Sequence, residues 1–317
     1  MDTSFLKKYQ PKYYNEFILD PEYISLLNTF IDMDNLNILL IGNSGCGKTS
    51  LIEATIREYY KVDKIPINNV LIINNLKEQG IQYYRTEVKT FCQTRSNIPH
   101  KKKIIMLDDI DLINDQSQQV FRNCIDKYSH NVHFIASCSN IQKVIDSIQS
   151  RCSIIKIKPL KKLYLNKIFN KIKKNENINI TKNAQNFVLN ICNNSTRLLI
   201  NYLEKFKLLN IDIDCDKVKE ICTNISFYDF ETYTNKWYKD KDIKSSLNII
   251  FSIYNKGYSV MDILDSYFIF IKYTDIVNEV MKYKIIKIIC QYISIFHNIH
   301  ESEIELALFT NNLIKLI

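Results

Sequence analysis

In this 317-residue chain, the residues whose types and spacing can do chemistry fall in two places. One is a lysine and a hydroxyl at the end of a glycine-rich turn; the other is a pair of adjacent carboxylates closing an apolar run. Gly42-Asn43-Ser44-Gly45-Cys46-Gly47-Lys48-Thr49, followed by Ser50, reads G-x-x-x-x-G-K-[ST] and holds three of the chain's five glycines. Glycine at these points lets the backbone curl until successive N–H groups face one anion. The pattern predicts a phosphate-binding loop, in which the backbone from Gly42 to Ser50 cradles the phosphates of ATP. Lys48 then reaches the β- and γ-phosphates, and the Thr49 hydroxyl ligates Mg²⁺. Farther along comes Lys103-Ile-Ile-Met-Leu-Asp108-Asp109-Ile-Asp111, with Asp108 sixty residues beyond Lys48. Here Asp108 is expected to hold Mg²⁺, usually through water, and Asp109 to orient the attacking water. An apolar run ending in Asp is a weak signal alone and a strong one behind a phosphate loop.

Groups of this kind must stand at strand ends and helix starts. The runs Asn37–Ile41, Val70–Ile73, Lys103–Leu107, Val132–Ser137 and Ser153–Lys158 are short and rich in Ile, Val and Leu, as buried parallel strands are. Helical patterns lie between them, so residues 1–159 read as an α/β domain with a parallel five-stranded sheet, closed by Pro159. From 160 to 226 the strand signal disappears. Leu160–Lys174, Thr181–Cys192 and Ser195–Leu209 have helical spacing, with Leu198, Leu199, Tyr202, Leu203 and Phe206 as an apolar stripe. Residues 227–317 form a last all-helical block, in which Ile243, Leu247, Ile250, Phe251 and Tyr254 mark one face.

Composition narrows the classes. No apolar run is long enough for a membrane span and no signal peptide opens the chain, so no membrane partner is expected. Nine cysteines without a C-x-x-C pair read as buried thiols of a reducing compartment, nucleus or cytoplasm. His297 and His300 read as a solvated surface pair. A net charge of +8 permits contact with a polyanion without requiring it. Taken singly, Asn140 reads as a turn residue, Arg151 as a solvated arginine at a strand start, and Arg85 with Lys89 as an exposed basic edge.

Together, however, these segments resemble one family: the small subunits of the eukaryotic and archaeal sliding-clamp loader, replication factor C, within the AAA+ ATPases. The resemblance runs through Lys8-Tyr9-Gln10-Pro11, the phosphate loop, Gly80 to Phe91, Gln118-Gln-Val-Phe-Arg122, Ile148-Gln-Ser-Arg-Cys152, Asn194-Ser-Thr-Arg197 and Gly257-Tyr-Ser-Val-Met-Asp-Ile-Leu264. It implies an AAA+ domain, a helical lid at 160–226 and a helical collar for oligomerisation at 227–317. It further implies that Tyr9 and Pro11 border the bound ATP, that Asn140 senses the γ-phosphate and that Arg197 contacts it from the lid. Arg151 becomes an arginine finger acting on the neighbouring subunit's ATP. Arg85, Lys89 and Arg122 become contacts to primer–template DNA without sequence preference. The expected partners are other loader subunits, the DNA and the sliding clamp, which meets a region near Cys92–Lys103.

The chain departs from the family pattern in places. Asp109 stands where a glutamate is usual. Its carboxylate is one methylene shorter, setting it back by about 1.5 Å, and such misplacement costs on the order of 10²-fold in rate. Binding with slow hydrolysis is therefore expected. Gln10 replaces an arginine, and Asn194-Ser195 replaces Gly-Asp. Two alternatives remain: a structural subunit that binds ATP with little turnover of its own, or another AAA+ ATPase that processes DNA.

Overall fold

The computed structural model describes residues 4–73, 82, 84–192, 194–209, 212–222, 225–296 and 299–316. Gly80, Ile81 and Tyr83 of one resembling segment, and His297, lie outside them. Five parallel strands form the sheet: β1 Ile38–Ile41, β2 Val70–Ile73, β3 Lys103–Leu107, β4 Val132–Cys138 and β5 Ser153–Lys156, in the order β2-β3-β4-β1-β5. The three inner strands β1, β3 and β4 are mostly apolar because both of their faces are covered. Ile38, Leu40, Ile104, Met106 and Ile135 pack with Leu27, Leu51, Ile52 and Ile56 on one side. Leu39, Ile105, Leu107, Phe134 and Ala136 pack with Phe121 and Ile125 on the other. The expected strands are all present. The first starts a residue later than expected, the fourth runs on to Cys138, and the fifth stops at Lys156 as an edge strand with Ile154 exposed.

The helices of this layer are α1 Phe5–Lys8, α2 Pro21–Asp32, α3 Lys48–Tyr60, α4 Lys89–Gln93, α5 Asp115–Tyr128 and α6 Asp146–Gln149. They are followed by α7 Lys162–Glu176, α8 Lys182–Ile191, α9 Thr196–Leu209 and α10 Cys215–Cys222. The chain ends with α11 Phe227–Tyr238, α12 Ile243–Tyr254, α13 Val260–Tyr273, α14 Glu279–Phe296 and α15 Glu303–Ile314. Among the described residues no helix is long and apolar enough to cross a membrane.

The chain divides into two compact units: Met1–Ile178 with Cys192–Ile211, and Asn179–Ile191 with Asp212–Ile317. The stretch 160–226 is therefore shared, with α7 and α9 in the first unit and α8 and α10 in the second. On α9 Leu199, Leu203 and Phe206 are buried, while Leu198 of the expected stripe is exposed. In the second unit Phe230, Tyr233, Trp237, Tyr267, Phe270 and Phe309 form the core. Their polar ends are satisfied internally: Trp237 Nε1 donates to Tyr267 Oη at 3.0 Å, and Tyr233 Oη pairs with Thr310 Oγ1 at 2.9 Å. The buried line of α12 is Ser246, Ile250 and Ile253, and Ile243 of the expected face is exposed. That rotation is possible because the Ser246 hydroxyl donates to the Asp242 carbonyl at 2.6 Å and so can be buried.

At the N-terminal end of the sheet, in the first unit, the buried His133 imidazole lies 3.1 Å from Asp34 Oδ1. Tyr59 Oη donates to the same oxygen at 2.8 Å, and Lys102 pairs with Asp34 Oδ2 at 3.1 Å. Burial lowers the His133 pKa to about 4, so the ring is neutral.

Candidate functional site

In an open parallel sheet, ligands bind beyond the carboxyl ends of the strands where the strand order reverses. Here that point lies beside β1, flanked by β4 and β5. β1 runs into the glycine-rich loop, in which Gly45 and Gly47 adopt φ of 76° and 94°. No L side chain takes those angles without strain. Gly45 is doubly constrained: a Cβ there would lie 2.3 Å from Ser195 Oγ. The loop ends on the first turn of α3, whose amides and dipole favour an anion. Lys48 is the first residue of that helix and is buried; its Nζ donates to the carbonyls of Gly42 at 2.7 Å and Asn43 at 3.2 Å, and lies 3.3 Å from Ser139 Oγ.

The acidic half stands opposite. Thr49 Oγ1 lies 3.2 and 3.0 Å from the two Asp108 oxygens. Ser137, buried in β4, donates to Asp108 Oδ1 at 2.6 Å and accepts the Asp109 N–H at 3.0 Å. One hydroxyl thus fixes the carboxylate of one acid and the backbone of the next. Asp109 has a left-handed backbone with φ of 50°. Burial and then the Asp108 charge push its carboxyl above the usual range, with Lys48 and Arg197 pulling the other way. Asp111 Oδ2 accepts the N–H groups of Ser139 at 3.1 Å and Asn140 at 2.9 Å, which sets the turn after β4.

A cleft of about 660 Å³ joins these groups, within the usual range for a small-molecule site. Ser44 to Ser50, Asp108 and Asp109 line one side, and Tyr9, Pro11 and Arg197 line others. Phe17, Leu19, Ile172 and Ile200 add an apolar wall suited to a base. Gly42, Asn43 and Asn140 face a separate hollow of about 380 Å³ on the other flank of the loop. The Asn140 amide oxygen accepts from Gln142 N at 3.0 Å, so the strand-end side chain against Lys48 is that of Ser139.

The cleft is tied to the helices around it. Gly45 O accepts from Thr196 N at 3.1 Å and from Thr196 Oγ1 at 2.6 Å, joining the start of α9 to the phosphate loop. Glu176, at the end of α7, accepts from Lys8 Nζ at 2.7 Å and from Tyr9 Oη. These bonds hold the Glu176 carboxyl below the usual range, and burial with the nearby carboxylate raises the Tyr9 phenol to about 12. Gln10 Nε2 donates to Glu53 Oε2 at 3.0 Å, which also pairs with Arg57. Ser137, Ser139, Asp111 and Glu176 do not stand out in the sequence. Ser137 is a serine inside an apolar strand, Glu176 a lone acid in a basic stretch, and Asp111 only the last acid of the run that begins at Asp108.

Arg151 lies away from this cleft. It precedes β5, whose Ser153 is in register with Ile38 of β1. The four residue steps from Ile38 to Gly42 put the loop about 13 Å farther along the strand direction. Its guanidinium pairs with Asp126 and donates to the Ser147 carbonyl at 2.8 Å. Arg122 pairs with the same Asp126 at 3.4 Å. Arg85 and Lys89 are exposed, on the wide helical turn Tyr84–Val88 and at the start of α4. Within the Lys101–Lys103 run, Lys103 is buried, Lys102 pairs with Asp34, and Lys101 Nζ lies 4.1 Å from the centre of the Tyr59 ring.

The model of the ATPase family associated with various cellular activities (AAA) matches residues 38–160. A replication factor C small subunit of Methanoculleus marisnigri is 29% identical over 69% of this chain and 68% of its own. Replication factor C subunit 3 of Schizosaccharomyces pombe is 28% identical over 83% and 77%. Among solved structures, the Holliday junction branch migration motor of Thermotoga maritima has a TM-score of 0.55 at 14% identity, covering 75% of this chain and 81% of that one. A DNA polymerase III gamma subunit-related protein of the same organism has a TM-score of 0.52 at 13% identity, covering 92% and 97%. At such identities the structural likeness is one of fold.

Proposed function

We propose that this chain, which matches the AAA ATPase family model over residues 38–160 and is similar to replication factor C small subunits, is one subunit of a sliding-clamp loader. In this reading it binds and hydrolyses ATP to open the clamp and place it on primer–template DNA during replication. The observation that carries the reading is the convergence of Lys48, the Thr49–Asp108 pair and Asp109 in one cleft beneath Arg197.

The residues fit ATP with Mg²⁺. Thr49 and Asp108 offer close, hard oxygen ligands of the kind Mg²⁺ prefers. When bound, the ion draws charge from the phosphate oxygens and lowers the cost of their displacement. Around it, the loop amides hold the phosphates and Lys48 exchanges its two carbonyl partners for phosphate oxygens. Ser137 keeps Asp108 aimed at Thr49. Asp109 accepts hydrogen bonds from a water in line with the terminal phosphate. Arg197, on α9, follows the phosphates because Thr196 is bonded to the loop they occupy. Ser139, held by Asp111 and lying 3.3 Å from Lys48 Nζ, reports on the same phosphate from the end of β4, and Asn140 joins it by giving up its bond to Gln142 N.

Arg151 belongs to a neighbour's site in this reading. Its position at the N-terminal end of the sheet supports action in trans, where a fixed planar cation stabilises spreading phosphoryl charge. Arg85, Lys89 and Arg122 are assigned to backbone contacts with DNA, and the 92–103 segment to the clamp. Free thiols at all nine cysteines suit a reducing compartment, nuclear or cytoplasmic. A second reading is favoured by one observation, the short Asp109: a subunit that binds ATP and leaves turnover to its partners. Steady-state ATPase of the assembled complex, with Lys48→Ala in this chain alone, separates the two. A drop with primed DNA present supports hydrolysis here, and an unchanged rate assigns turnover to the partners.

A further inference from the structure

The positive charge of this chain is concentrated in one place. Of 42 Lys and Arg against 34 Asp and Glu, eight lysines and no acid fall between Cys152 and Asn175. The remainder therefore balances at 34 against 34, and this segment alone accounts for the net +8. It comprises the edge strand β5, the turn at Pro159 and nearly all of α7.

The helix geometry sorts these lysines. Leu165, Phe169, Ile172 and Glu176 recur at helical spacing and form the buried line of α7. Lys167, Lys171 and Lys174 lie opposite, all exposed, at i, i+4 and i+7. They make a stripe about 10 Å long. Lys156, Lys158, Lys161 and Lys162 are also exposed.

Local stability does not account for this pattern. Like charges at these spacings repel across the helix surface. Lys161 occupies the N-cap without a capping side-chain bond, and Lys162 follows with no acid in the first turn, where the dipole disfavours cations. The helix's one acid, Glu176, is turned in toward Lys8 and Tyr9. Only Lys173 and Lys174, in the last turn, are where the dipole favours them.

We propose that the exposed face of α7, continued by Lys156–Lys161, is a second nucleic-acid surface that binds the phosphodiester backbone of duplex DNA. It is separate from the Arg85, Lys89 and Arg122 contacts. The spacing suits it: a duplex presents one negative charge per about 1.7 Å of axis, so the stripe faces several phosphates at once. The neutral amides of Asn166, Asn170 and Asn175 between the lysines are donors of the type that contact phosphate and sugar. Lysine without arginine gives compact point charges that hold a backbone without the rigid fork of a bidentate contact. The proposal rests on the reading that this chain works on DNA and adds where a duplex outside the loading path is held.

The test is fluorescence anisotropy of the full chain on a short duplex over a salt series. The variant Lys161→Gln/Lys167→Gln/Lys174→Gln avoids Lys171, which lines the ATP cleft. Its log–log salt slope is expected to fall by about 2.7, at roughly 0.9 for each phosphate no longer neutralised. Circular dichroism and ATP affinity should stay unchanged. In parallel, Arg85→Gln/Lys89→Gln should lower the slope independently. A slope altered only by the Arg85 and Lys89 changes overturns this surface and leaves the clamp-loader reading standing. An unchanged duplex slope with weakened binding to phosphatidylserine vesicles overturns the nucleic-acid assignment. No duplex binding by the unsubstituted chain also overturns it, while DNA-stimulated ATPase of the complex tests the loader reading separately.

Discussion

Ser137 holds both acids of the site, and its loss has a definite expected cost. Its hydroxyl is fully buried between the Asp108 carboxylate and the Asp109 amide. Ser137→Ala leaves that carboxylate short of a donor and that N–H short of an acceptor, at about 1.5–3 kcal/mol for a bond to a charged group. Urea unfolding should show the loss, and Mg²⁺-dependent ATP affinity should weaken with it. At Asp109 the expected change is a gain. Asp109→Glu moves the carboxylate outward by about 1.5 Å and should raise turnover of the assembled complex by up to roughly 10²-fold, with ATP affinity little changed. Steady-state ATPase measures both. The phosphate loop and the acid pair are legible in the sequence because their chemistry demands fixed residue types at fixed spacing. Ser137 is not, because a serine in an apolar strand declares its role only when β4 is laid beside β3 in register.

At the scale of elements, the join between α9 and the phosphate loop carries the next prediction. Thr196 bonds the Gly45 carbonyl twice, and the Gly45 hydrogen faces Ser195 Oγ where no carbon fits. Gly45→Ala imposes both the collision and a left-handed alanine, the latter costing about 1–2 kcal/mol. ATP affinity measured by calorimetry should fall about tenfold or more. Gly45→Ala/Ser195→Gly should recover part of it by removing the collision and not the backbone strain. Strand positions are readable to within a residue or two because burial on both faces makes the inner runs mostly apolar. The face of α12 is not readable in the same way: Ile243, Leu247 and Tyr254 make as good a stripe as the buried one. The buried line includes Ser246, whose hydroxyl is satisfied by the Asp242 carbonyl, and a serine is not an apolar signal.

For the whole molecule, the His133 cluster sets a pH limit. Its folded pKa of about 4 lies below the ordinary value near 6.5, so the unfolded chain binds the proton more readily. Stability from this group is full above pH 6.5 and is lost as pH falls from there toward 4, by about 3 kcal/mol in all. Thermal unfolding across that range should show the loss. In His133→Gln the same window should be flatter, on a lower baseline. The buried tyrosines, tryptophan and phenylalanines of the second unit are legible only as helical hydrophobicity, since their hydroxyl and indole pairings join residues 30 to 77 positions apart.

Arg151 sits at the opposite end of the strands from the cleft. A twofold pair brings the same patch of each chain together, so it cannot give each partner the other's guanidinium through one compact contact. On the proposed role of Arg151 in trans, donor and recipient surfaces instead follow one another around a rotation. Such a procession has a leader and a straggler: one chain's arginine finds no nucleotide, and at the other limit a nucleotide waits for an arginine. Unless the circle closes, chains with identical sequences in that procession hydrolyse at different rates according to their place in line.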